Sequence, residues 1–597
     1  MLSRKRILGT VFLFRLYFIF FILLPVSASA RSTIIVNNQQ SFDDLQNSLS
    51  KAIKQGETEI CVLLKRATFI AKENHIRIQG INAPNTIIRI VGTEAVIIPG
   101  GQDYKKGDRY LGKISENSSW MCNNQDVKTW SDVYYSDGLV DVVDKEKKIC
   151  RIKKKEPSSL ESYGASHILI PHWYQSSIYK IDKIVDNYIY FVAKDLINTK
   201  KSGYNVHGDY YFGKKNTRFK LFNAKSCYNC LRIMDGRVLL PSGHTIVREG
   251  IVNQLISLQN CTFHSLEISG IKFWGNSYKD NSSAIYINNI KCVKLWLHNC
   301  EFRGIRSNVI KIESSPNVFI EENSFDDCYY YGVHSDNKSK NTVIKGNTFM
   351  NMGKRMQNTF CIVCRGENYI ISGNKMTDFG YGGIGVGVIY NSEKTNPCYG
   401  IVENNVMQFT DSYMANIANY GIMDSGAIYV WTKNDGAIIR NNVIKNYTGM
   451  YSNRGIFCDG GAYNVQIYNN VITGITNSFC IDSYRVKSVE RSKEKDYGID
   501  RSNVNVVIRD NIVDGSIRFE AHEGKNNGCV KGANYFIMKK GGKVPKNTIK
   551  NIVNAEEDIP LEYVGTANGK LYITSQSYRK LKKSKSWKNL RKYVGKY

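Results

Sequence analysis

From about Ile251 onward the chain breaks into short apolar runs, each opened by a small or amide residue, and the runs share one register. Gly270-Ile-Lys-Phe273, Cys300-Glu-Phe302, Asn323-Ser-Phe325, Asn347-Thr-Phe349, Asn374-Lys-Met376, Asn405-Val-Met407, Asn442-Val-Ile444, Asn470-Val-Ile472 and Asn511-Ile-Val513 all fit it. Successive steps run from 23 residues, Cys300 to Asn323, to 41, Asn470 to Asn511. Runs this short, with alternating inward Val, Ile and Phe, read as strands rather than helices. A repeat of this length, in which each unit buries its core only against its neighbours, is the mark of a solenoid. Leucine-rich repeats are the rival, but their Leu-x-x-Leu-x-Leu skeleton is missing. The pattern therefore predicts an all-β chain, a right-handed parallel β-helix, with the Asn residues stacked at a turn in a structural role.

The N-terminal part predicts how the coil opens. Leu45, Leu49 and Ile53 lie at helical spacing within Phe42 to Lys54, behind a Ser41 suited to cap them. Strand-like runs follow at Cys61-Val-Leu-Leu, His75-Ile-Arg-Ile, Thr86 to Val91 and Ala95-Val-Ile-Ile. One helix ahead of short strands reads as a cap shielding the first strand edge. The division expected is residues 31–101 for cap and first coils, 102–240 for inserted β-rich loops or a subdomain, and 241–555 for the main helix. Residues 556–597 form a basic closing cap or tail. The long steps lie between Asn374 and Asn511, and long excursions from a rigid scaffold usually wall a site.

Residues 1–30 read as an export signal: Arg4-Lys5-Arg6, an apolar run from Ile7 to Leu24 broken by Arg15, then Ala28-Ser29-Ala30 as a cleavage site. The expectation is a periplasmic or extracellular protein without a membrane span. The net charge of +28 falls to +24 once those four basic residues leave, which suits an acidic partner. The basic residues form no aromatic-interleaved stripe, which argues against nucleic acid. Fifteen cysteines include Cys227-x-x-Cys230 and Cys361-x-x-Cys364 without zinc-finger partners, so most are expected to be free and buried. No cofactor and no metal set is assigned.

Two consecutive repeats carry an acid each. Asp424 enters one apolar run, Asp424-Ser-Gly-Ala-Ile-Tyr429-Val-Trp431, and Asp459 leaves the next, Arg454-Gly-Ile-Phe-Cys-Asp459. Aligning the Asn-Asn-Val-Ile segments puts Trp431 level with Asp459 and Tyr429 level with Phe457. The cap, the Asn repeats and these two motifs resemble the pectin-lyase-like superfamily. More narrowly, they resemble the β-helical glycoside hydrolases with β-xylosidase, α-galactosidase and α-fucosidase branches. The resemblance implies Asp424 and Asp459 as a catalytic pair. It also marks a departure, since relatives often have Tyr at the position of Phe457 and a second Asp at that of Gly460.

The chemistry argues in parallel. Glycoside hydrolysis needs one carboxyl to protonate the leaving oxygen and a second carboxylate as nucleophile or base. Tyr429 and Trp431 offer an apolar platform for a sugar, and Arg454 an ion-pair donor for Asp459 or an acidic group. Asp482, Tyr484 and Arg485 stand one coil on as further substrate-binding candidates. Glu520, His522 and Glu523 lie beyond, and His334 with Asp336 upstream. The expected partner is an oligo- or polysaccharide, with an acidic one favoured by the charge. The rival functions are a polysaccharide lyase on an acidic glycan and a non-catalytic, adhesin-like glycan binder.

Overall fold

The computed structural model describes residues 31–71, 75–99 and, with short gaps, 254–596. The gaps fall at 276–282, 306, 329, 354–358, 388–397, 412, 415–424, 432–435, 448–452, 460–461, 476–477, 485–502, 522–526, 553, 568–569 and 585–586. Between 100 and 253 it describes only separate strand segments. The signal segment, Cys227 and Cys230 lie outside these residues.

The described strands of the coil join into a 38-stranded sheet, wound as a parallel β-helix. Each turn of the chain lays its strands beside those of the turn before. Phe273 pairs with Phe302, Phe302 with Phe325, and Phe325 with Phe349. The column continues through Met376, Met407, Ile444, Ile472 and Val513. Inside, the four phenylalanines stack at centroid distances of 5.1, 5.0 and 4.5 Å. Parallel strands bury both faces only where something covers them; here the coil covers its own inner face.

The Asn residues form the expected ladder. The Oδ1 of Asn347 accepts the backbone N–H of Asn323 at 2.9 Å, and Asn374 serves Asn347 at 2.9 Å. The series runs on through Asn405, Asn442, Asn470, Asn511 and Asn534. Each Nδ2 also reaches a strand carbonyl, as in Asn442 to Val402 at 2.9 Å. Backbone groups that a tight turn would leave buried and unpaired are thereby satisfied. At its far end the ladder stops on Asp558, which accepts from Asn534 N–H at 3.1 Å and from Lys531 Nζ at 2.7 Å.

The N-terminal cap starts earlier than its apolar spacing predicts. Two short helices, Gln39–Asp43 and Leu45–Lys54, follow one another. Asn38, not Ser41, is the N-cap; its Oδ1 accepts from Ser41 N–H at 2.8 Å, and Ser41 returns the bond in a capping box. Phe42, Leu45 and Leu49 are buried against the first coil.

The interruption after Pro99 has a definite place in the winding. The strand Asn82–Pro99 pairs in parallel with Ile256–Trp274, and Ile76–Gln79 pairs with the start of that same strand. The chain thus leaves the coil after Pro99 and re-enters one turn higher. Between these points the described strands from Tyr134 to Phe222 form a separate seven-stranded sheet whose pairings are all antiparallel.

At the other end the strand Ile559–Ala567 turns back antiparallel to Lys570–Ile573. The helix Ser575–Lys582 and a short turn of helix, Trp587–Leu590, then bury Leu581 and Leu590 against Leu561, Leu571, Ile573 and Val594. Residues 556–597 thus close the coil as a cap. Among the described residues no helix is long and apolar enough to cross a membrane. The twelve described cysteines, Cys361 and Cys364 among them, are free.

Candidate functional site

One face of the coil gathers the chemistry. Along it the strands Asn308–Glu313, Val333–Ser335, Phe360–Cys364, Gly382–Val386, Gly426–Trp431, Arg454–Asp459, Phe479–Ser483 and Ser516–Glu520 stack in parallel register. Alternation sends Ile428, Ile456, Ile481 and Ile517 inward and their neighbours outward. One outward row reads Lys311, His334, Val363, Gly385, Tyr429, Phe457, Asp482, Arg518. Two positions on, a second row holds Trp431 level with Asp459, as the alignment of the repeats predicts. The same register places Tyr484 and then Glu520 one and two coils beyond Asp459 on that row.

Asp459 is only 7% exposed. Its Oδ2 accepts from the Tyr429 hydroxyl at 2.6 Å and its Oδ1 from the Tyr484 hydroxyl at 3.1 Å. Two of the expected substrate-binding residues are thus hydrogen-bond donors to the candidate carboxylate. Bonds of this kind hold it in one orientation.

Trp431 does not lie open as a platform. Its indole crosses the coil below, where a Cβ on Gly385 would come within 2.6 Å of the ring. It packs against Phe360 at 5.3 Å and Tyr429 at 5.1 Å, with the Arg365 guanidinium 5.6 Å from its centroid. Glycine at 385 is required by this close approach rather than by backbone conformation.

Arg454 and Asp482 take positions different from those of free binding groups. The Arg454 Nε donates to Asp482 Oδ2 at 2.9 Å, and its guanidinium lies 4.0 Å from the Phe457 centroid. Asp482 has no exposed surface. Arg518 completes its coordination, with Nε to Oδ1 and Nη2 to Oδ2 both at 2.6 Å. Arg518 also packs against Tyr484, 4.5 Å from the ring centroid. Asp482, expected to bind substrate, is buried here and accepts from two arginines, Arg454 and Arg518. Arg518 escaped the sequence reading, although the register that equates Asp482 with its position was available in the repeat.

Asp424 lies outside the described residues, as do Arg485, His522, Glu523 and Gly460. Its neighbour Ser425 is described: its carbonyl accepts from Arg454 N–H at 2.9 Å, and its hydroxyl shares a 2.7 Å bond with that of Tyr447. Ser425 precedes the strand Gly426–Trp431, and Asp459 is level with the far end of that strand. Six residues of extended chain separate the two levels, about 20 Å.

Upstream on the same face lies a second polar group. Glu313 accepts from Lys311 Nζ at 2.8 Å and from the Tyr286 hydroxyl. Burial, then the nearby charges of Arg365 and Lys311, push the His334 imidazole down to about 3, so it is neutral. Asp336 is spent on its own turn, accepting from Ser314, Lys338 and Ser339 backbone N–H groups and from the Ser339 hydroxyl at 2.7 Å. Among the described residues no group of three or more His, Cys, Asp or Glu side chains is placed to hold a metal ion.

No protein-family model matches the chain, and no curated protein matches it. Among solved structures it is similar to one described as a glycoside hydrolase, at 11% identity over 88% of this chain and 96% of that one, with a TM-score of 0.50. It is also similar to the PL6-family alginate lyase AlyGC, at 11% identity over 94% and 56% of the two chains, with a TM-score of 0.34. A third is the Gp54 tailspike of Acinetobacter baumannii bacteriophage AP22, solved with a capsular saccharide, at 8% identity over 84% and 77%, with a TM-score of 0.18. The first likeness shows the shared fold.

Proposed function

We propose that this chain is an exported glycoside hydrolase whose site centres on Asp459. The observation that carries the reading is the Asp459 carboxylate, fixed by the hydroxyls of Tyr429 and Tyr484 on the aromatic-lined outer face of the coil. The structure described as a glycoside hydrolase, which shares the fold, supports it. In this reading Asp459 is the nucleophile or the base that activates water, and a second carboxyl protonates the leaving oxygen.

Glu520 is a second candidate, beside Asp424, for that role. It follows Asp459 on the same outward row two coils away, about 10 Å between backbones, which is near the upper end of inverting geometry. Its Oε1 pairs with Lys550 Nζ at 3.3 Å on a partly open surface. Tyr484 stands between the two acids, where a water or a sugar ring would be bracketed.

Turnover on a panel of neutral and acidic glycans tests the reading. Asp459→Asn abolishes reducing-end release, and Glu520→Gln and Asp424→Asn, compared side by side, identify the second carboxyl as the one whose loss also abolishes it. An ultraviolet-absorbing unsaturated uronate among the products would favour elimination instead. Glycan binding without turnover in the wild type would favour an adhesin-like role.

A further inference from the structure

The cationic cluster upstream of Asp459 is not accounted for by hydrolysis or by folding. Lys311 and His334 are register partners on adjacent coils. Arg365 follows the strand Phe360–Cys364, which pairs with that of His334, and its backbone N–H donates to the Ser335 carbonyl at 3.2 Å. The three side chains therefore fall on a patch of three successive coils. Arg365 has no ion-pair partner among the described residues, and its Nε, shielded from water, has no acceptor. The Nε2 of His334 is likewise buried without a partner. Glu313 pairs with Lys311, Glu367 with Lys340, and Asp336 accepts from Ser314, Lys338 and Ser339, so none of these three acids is paired with Arg365.

Arg365 is half-buried, and a guanidinium N–H shielded from water with no acceptor among the described residues is a place where a ligand's anion would be favoured. The face of Trp431 on one side of Arg365 offers only a ring contact. Along the second outward row Arg365 precedes Asp459 by three coils, about 14 Å. That is the reach of a few sugar units laid along the coil axis.

We propose that Lys311, His334 and Arg365 form an anion subsite that takes a carboxylate or sulfate on a sugar a few units from the bond cut at Asp459. This rests on the glycan-hydrolase reading and deepens it: the substrate is an acidic polysaccharide. Arg365 supplies the charge and a planar fork of donors. Neutral His334 supplies a hydrogen bond, and Lys311 shifts between Glu313 and the ligand.

Calorimetric binding of the full chain tests the subsite. The probes are a panel of uronate-bearing oligosaccharides, the same sugars with carboxyls reduced to alcohols, and sulfated oligosaccharides, against wild type, Arg365→Met and Arg365→Lys. The wild type binds an acidic probe about tenfold tighter than its neutral counterpart. Arg365→Met loses that preference and Arg365→Lys keeps part of it. Without glycan, the melting temperature of Arg365→Met is unchanged or higher, because the substitution removes a half-buried charge that has no ion pair among the described residues. Which acidic probe is preferred identifies the anion. Equal binding of acidic and reduced sugars by the wild type, or an unchanged preference in Arg365→Met, overturns the subsite and leaves the glycan reading standing. A lowered melting temperature with unchanged preference assigns Arg365 to structure instead. No binding to any acidic or neutral probe overturns both.

Discussion

Asp459 and Asp482 are buried acids with opposite surroundings, and their surroundings assign them different work. Asp459 accepts from two phenolic hydroxyls, and Asp482 from two guanidinium groups. Tyr429→Phe removes one donor from Asp459 and is expected to lower kcat ten- to a hundredfold, with the fold unchanged by circular dichroism. Asp482→Leu leaves Arg454 and Arg518 together without their anion and is expected to cost about 3 kcal/mol in urea unfolding. Arg518→Met, whose side chain is partly open, costs less. Cys458 points into the coil, and burial pushes its thiol up to about 12. Maleimide labels it only after unfolding, because the reactive thiolate is withheld; labelling of the native protein at this position would contradict the inward orientation.

The strand and its turn are the elements that were most readable. The Asn-x-apolar period located the coils and their ladder from Asn323 to Asn511, because a buried turn amide needs one residue type at one place per coil. Asn534 and Asp558 continue that ladder at steps of 23 and 24 residues, the same as the first two steps from Cys300, and Asn534-Tyr-Phe536 carries the motif; only the last position has an acid in place of the amide. The alignment of Trp431 with Asp459 was legible for the same reason. What the repeat did not show was direction along the strand. Ser425 and Asp459 belong to adjacent coils but stand at opposite ends of paired strands, so adjacency of coils does not by itself fix adjacency of side chains. The pairing of Asp482 with Arg518 was open to the same register but was not drawn, because the repeat marks inward positions and leaves the outward side chains to be matched one by one. Two predictions belong at this scale. Asn405→Ala strips the acceptor from the Asn374 backbone N–H and is expected to cost about 1–3 kcal/mol in chemical denaturation. Gly385→Ala drives a methyl into the Trp431 indole, so the tryptophan near-ultraviolet dichroism changes while the strand content does not.

At the scale of the whole molecule the chain is a long coil with both ends closed. The Asn38-capped helices cover the first turn, and the Ser575–Lys582 helix with Leu590 and Val594 covers the last. An open parallel coil offers unpaired strand edges to other chains. Removal of residues 559–597 is expected to turn a monodisperse protein into concentration-dependent assemblies, measured by light scattering. The departure after Pro99 was visible as a loss of rhythm, while the return one coil higher was not, since only the pairing of Asn82–Pro99 with Ile256–Trp274 reveals it. The outward rows carry Arg365 and, three coils on, Asp459 on one face, and in the proposed reading an extended polymer would lie along it. The most direct measurement is reducing-end release from a glycan panel by wild type and Asp459→Asn, with binding followed in parallel. The account predicts release by the wild type, loss of at least a thousandfold in Asp459→Asn and binding retained. Equal release by the two proteins would contradict it.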